Sequence, residues 1–87
     1  MFFTKISTEV IAMDIQHYDT WLKIGLNILH YRKEQRLTQE QLAEMCGLSR
    51  NHIQRIETGA AGCSVDTLIE IAAVLNVDLY KLFLFKE

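Results

Sequence analysis

Apolar positions recur at helical spacing in block after block along this chain, and short polar punctuation separates the blocks. From Thr20 to about Arg36, Trp21, Ile24, Ile28 and Tyr31 fall on one side, with Leu29 beside them. That is the pattern of an amphipathic helix. Its end carries Arg32, Lys33 and Arg36, where cations suit the negative pole of the helix dipole. Thr38 stands where an N-cap belongs, and Gln41 follows as in a capping box. The next segment, QEQLAEMC, stops at Gly47, the residue type best suited to a left-handed helix end. Ser49 opens a third helix that closes at Gly59. After the loop AAGC, Ser64 or Asp66 can cap DTLIEIAAVL, with Asn76 to end it. Asp78 opens a last, very apolar helix, LYKLFLF, in which Leu79, Leu82 and Phe83 take core spacing. The pattern predicts an all-α fold of five helices over residues 20–87.

Residues 1–19 obey neither period. FFTKISTEVIAMDI mixes aromatic and β-branched residues with polar ones. A strand or a sixth helix would be compatible, but the expectation is an extended N-terminal arm. No proline and only four glycines occur in the 87 residues, which suits helices with short links. No apolar run approaches the roughly 18 residues that a membrane span needs. Cys46 and Cys63 show neither metal-ligand spacing nor a disulfide framework, and His17, His30 and His52 are scattered. No metal site, cofactor or membrane association is expected, and the cytoplasm is the expected compartment.

Charge changes the picture through its distribution. The net charge is −2. Residues 21–59 nevertheless hold six basic side chains against four acidic ones, a net of +2, while residues 1–20 and 60–87 each carry −2. The middle of the chain can therefore meet an anion even though the whole does not attract one from afar.

Within that middle, LSRNHIQRIETG raises the functional question. On a wheel of about 100° per residue, Arg50, Asn51, Gln54, Arg55 and Thr58 fall within an arc of roughly 140°. Ile53, Ile56 and Glu57 lie on the other side, and His52 lies at the border. Surface helices usually favour Glu and Lys for their helix propensity. This arc holds no acid, two guanidiniums and two carboxamides, the groups that pair bidentately with guanine and adenine in the major groove. Leu42, Cys46, Leu48, Ile53 and Ile56 supply apolar contacts between the second and third helices, with Ala43 allowing close approach. Two short helices so patterned pack across one another and leave the outer face of the second free.

These residues closely resemble the Cro/lambda-repressor helix-turn-helix family, also called the XRE family. The resemblance runs over roughly residues 24–83, through LTQEQLA, GLS, the Ile/Glu/Gly ending of the third helix and LNV. It implies a lambda-repressor-like DNA-binding domain over 20–87, with the helix-turn-helix proper at 39–58 and 1–19 as an N-terminal extension. It further implies that Arg50, Asn51 and Arg55 are the main base readers, with Gln54 and Thr58 as secondary contacts. Lys33, Arg36 and Thr38 would hold phosphate, and Gln39 a phosphate or a base. Arg32 and Glu57 match positions that pair structurally between the first and third helices. His52 is divided between a phosphate contact and a packed ring. The loop AAGC lacks the basic residues and proline common there in the family, which predicts modest affinity for one subunit.

Tyr80, Leu84 and Phe85 are apolar residues left over from the core spacing of the C-terminal helix. Excess apolar surface at a terminus marks a subunit contact. The resulting expectation is a bacterial or phage-type transcriptional regulator, a repressor or autoregulator, that reads a palindromic duplex operator as a homodimer. The alternative is an antitoxin-type or other protein-interaction module whose apolar C-terminal helix grips a protein partner. An enzyme is disfavoured, because no nucleophile–base pair, paired carboxylates or phosphate loop can be assembled.

Overall fold

A computed structural model describes the backbone of residues 2–86 and the side chains of residues 17–86. It is helical, with α1 at Phe2–Glu34, α2 at Gln39–Cys46, α3 at Arg50–Glu57, α4 at Val65–Leu75 and a 3-10 helix at Leu79–Phe83. No strand occurs among the described residues.

The caps are built by the residues that the spacing singles out. Thr38 Oγ1 accepts from the Gln41 amide at 3.0 Å, and Gln41 Oε1 accepts from the Thr38 amide at 2.8 Å. This reciprocal pair satisfies two donors at the start of α2. Ser49 and Ser64 accept from the amides of His52 and Thr67, each at 3.1 Å. Gly47 and Asn76 take left-handed conformations that end α2 and α4.

Two expectations need correction. Over its described part, the 1–19 segment is not extended; it continues α1 without a break. Neither Gly nor Pro occurs before Gly25, so no residue there interrupts the hydrogen-bond ladder, and β-branched residues lower helix propensity without forbidding it. The last element is a 3-10 helix, not an α-helix, so side chains repeat every third residue. Leu82 is accordingly buried, with Leu79 and Phe85 packed against the core on the same spacing. Phe83, expected inside, is 43% exposed.

The core joins Ile24 and Ile28 of α1, Leu42 and Ala43 of α2, Ile53 and Ile56 of α3, and Leu68, Ile71, Ala72 and Leu75 of α4. Each large aliphatic side chain buried here contributes about 1.5–3 kcal/mol. The α1–α3 crossing depends on Gly25. A Cβ at Gly25 would collide with the Ile56 carbonyl and stand 2.7 Å from that of Glu57. Backbone therefore rests on backbone at this point.

Arg36 ends α1 with φ 59°, a conformation ordinarily left to glycine. The bonds Arg36 N–H to Lys33 O at 3.0 Å and Leu37 N–H to Arg32 O at 3.1 Å hold it there. Arg36→Gly relieves this strain while giving the unfolded chain more freedom. The expected net is a stabilisation of about 0.5–1 kcal/mol, read from the urea midpoint.

Candidate nucleic-acid interface

The outward face of α3 starts from its buried side. Ile53 and Ile56 are fully enclosed, and Glu57 is only 4% exposed. With those three turned inward, Arg50, Asn51, Gln54, Arg55 and Thr58 are all exposed, and His52 is half-buried. The one carboxylate of the helix is thus withdrawn from the surface that its guanidiniums and carboxamides occupy.

A buried carboxylate needs compensation, and Glu57 receives it from two elements. Arg32, 8% exposed, donates from Nε to Oε2 at 2.7 Å and from Nη2 to Oε1 at 3.2 Å. Its Nη1 donates to the Leu37 carbonyl at 2.8 Å. Gln39 Nε2 donates to Glu57 Oε1, also at 2.8 Å. This network ties the end of α1, the first residue of α2 and the last residue of α3 together. It carries Lys33, Arg36 and Thr38, all exposed, on segments anchored to the end of α3.

The hydrogen bonds also show what each polar group has left to offer. Gln39 has committed one amide proton and keeps its carbonyl oxygen as an acceptor. Thr38 uses a lone pair in its cap, so its hydroxyl proton remains available for a phosphate. Ser49 does the same at the start of α3 and is exposed. Sequence reasoning passed over Ser49 as a contact, although its cap position was the signal. Thr58 behaves in the opposite way. Its hydroxyl lies 3.0 Å from the Gln54 carbonyl and 3.3 Å from that of Arg55, so its proton is directed to the helix backbone. It presents a methyl group and lone pairs to the outside, which suits a thymine methyl better than a phosphate.

The residues expected at a subunit contact lie elsewhere. The 3-10 helix packs on α1 and α4. Tyr80 and Leu84 are 57% and 58% exposed, whereas Phe85 folds partly onto the core, beneath Lys23 Nζ at 5.7 Å from its ring centre. Phe83 replaces Phe85 in the exposed apolar set.

The loop after Gly59 contributes shape rather than charge. A Cβ on Gly62 would stand 2.7 Å from the Trp21 ring, so a larger residue there has to displace the indole that lies over this position. Burial pushes the neighbouring Cys63 thiol up to about 11, and burial, then Glu70, raises that of Cys46. Both thiols are uncharged near neutrality. Among the described residues, no cluster of His, Cys, Asp or Glu could hold a metal.

A short pair of crossed helices, its second member bare of acids outside and pinned from within, defines a helix-turn-helix DNA-binding protein. The family model described as "HTH_3: Helix-turn-helix" matches residues 28–82, and the chain belongs to that family, one of DNA-binding transcription regulators. It is 41% identical over 74 residues to control protein C.SmaI of Serratia marcescens, covering 85% of this chain and 82% of that one. It is 38% identical over 58 residues to the immunity repressor protein of Bacillus phage phi105, covering 67% of this chain and 40% of the repressor. Its fold superposes on the restriction-modification controller protein C.AhdI from Aeromonas hydrophila with a TM-score of 0.74 and 30% identity, covering 77% of this chain and 97% of the controller.

Two outcomes follow from this geometry. Glu57→Ala strands the Arg32 guanidinium and removes a Gln39 partner, so urea unfolding should show a loss of about 3–5 kcal/mol. The Cys63 thiol holds its proton above the ordinary 9.0. Above pH 9 the unfolded chain therefore loses that proton first, and the associated stability is lost as pH rises toward 11. Cys63→Ala should flatten that part of the stability–pH curve.

Proposed function

We propose that this protein is a cytoplasmic, sequence-specific transcriptional regulator, of repressor or autoregulator kind, that reads a palindromic operator as a homodimer. The observation that carries the reading is the sorting of α3: every cationic and carboxamide side chain is exposed, and the only acid is buried in an ion pair. Arg50, Asn51, Gln54 and Arg55 read base edges from the major groove. Ser49 and Thr38 donate hydroxyl protons to the backbone, and Lys33 and Arg36 add charge to the same strand. His52 and Gln39 contact the flanks.

Homodimerisation uses the C-terminal apolar surface of Tyr80, Phe83 and Leu84. It compensates for a subunit whose loop after α3 brings no cation. A two-fold pair places two α3 helices in successive major grooves about 34 Å apart.

Selection from a random duplex library at near-physiological salt tests this reading. A palindrome with half-sites about one helical turn apart is expected. Arg55→Ala should cost about 1–3 kcal/mol and relax selection at one base of each half-site. Lys33→Ala should weaken all sequences alike and lower the salt slope by about 1 for each phosphate that the lysine neutralises. No enriched motif from a folded dimer would overturn the reading and favour a protein-interaction module.

A further inference from the structure

An open groove of about 530 Å³ runs between α1 and the C-terminal segment, walled by Leu26, Leu84 and Phe85 and rimmed by Lys23, His30 and Lys86. Its far wall is fixed, because the Asn27 side-chain amide donates to the carbonyls of Leu82 at 2.9 Å and Leu84 at 3.0 Å. Among the described residues, three cationic or protonatable groups line the groove and no carboxylate does. Lys23 and His30 do meet Asp19 and Glu34 on their own helix, at 3.2 and 3.1 Å, but these pairs are exposed. Such pairs contribute little and exchange partners readily.

The 3-10 helix that runs directly into Leu84 of the groove wall exposes Tyr80 and Phe83, and Asp78 is exposed at its start with no cap hydrogen bond. Leu84 belongs to both regions, lining the groove and standing 58% exposed. The size of a dimer contact then becomes informative. Half-exposed Tyr80, Phe83 and Leu84 offer on the order of 300 Å² in all. A stable interface takes about 800 Å² from each partner. More surface is needed, and the groove shares Leu84 with this patch.

We propose that the groove receives Tyr80 and Phe83 of a second copy, reciprocally, about a two-fold axis beside Leu84. Asp78 of the second copy meets the cationic rim, so Lys23 and Leu26 of α1 become part of the interface. This rests on the homodimer reading above and assigns to it a surface on α1. The pairing is self-complementary, as a closed two-fold contact requires, with an apolar knob and an apolar groove side by side on each subunit.

Sedimentation equilibrium of the full chain tests the proposal. Leu26→Glu and Phe83→Glu should each raise the dimer dissociation constant about tenfold or more, with helical circular dichroism unchanged. Asp78→Lys should weaken the dimer, and adding Lys23→Glu should recover most of the loss. Where Leu26→Glu disturbs folding, cross-linking serves instead, in chains with Cys46→Ala and Cys63→Ala. Leu26→Cys chains mixed with Phe83→Cys chains should form the mixed disulfide. If Phe83→Glu splits the dimer while Leu26→Glu leaves it intact, the groove lies outside the interface and the dimer reading survives. A wild-type chain that stays monomeric throughout overturns both.

Discussion

Glu57 is a carboxylate with almost no access to water, at the end of the helix that presents the polar surface. Left alone, it would cost several kcal/mol. The Arg32 fork offsets that cost from α1, and the same guanidinium reaches the Leu37 carbonyl in the following turn. Gln39 adds a bond from α2. Hydrophobic packing could hold these three elements together, but it is non-directional. Four directed hydrogen bonds fix how α1, the α1–α2 turn and α3 stand to one another. The pair also removes from the surface the one charge on α3 that would repel a phosphate backbone.

The electrostatic arrangement follows the same economy. A net charge of −2 gives little long-range attraction to nucleic acid, and the loop after α3 adds no cation. In the proposed reading, favourable contacts come from a few placed groups: the two arginines of α3, the cations at the end of α1 and two cap hydroxyls that still own their protons. Such a surface gains less from non-specific binding than a broadly basic one, which in the proposed reading leaves a larger share of the affinity to hydrogen-bond geometry at the bases.

Much of this was legible in the sequence because the informative signals are local. Caps, left-handed glycines and the 3.6-residue period each act over a few residues. They located α2, α3 and α4 and separated the exposed arc of α3 from its buried side. The Arg32–Glu57 partnership was implied by family resemblance, whereas Gln39 joining it depends on a side-chain direction that no spacing reveals. Residues 1–19 misled because mixed aromatic and β-branched composition is a weak guide to conformation, while the absence of Gly and Pro was the better one. At the other end, the identity of core and exposed phenylalanines hinged on whether the last turn repeats every 3 or every 3.6 residues. That choice is made by packing on α1 and α4, and Asn27 helps to fix it from 55 positions away.

The backbone meeting at Gly25 bears on how such a protein can diversify. Where α1 meets the end of α3, no side chain lies between the two backbones, so the angle of α3 is insulated there from changes in side-chain size. In the proposed reading, the outward residues at positions 50, 51, 54 and 55 are the base readers, and they can be exchanged without altering the stance from which they are presented. A new recognition preference becomes available through surface substitutions alone, on a frame that stays in register.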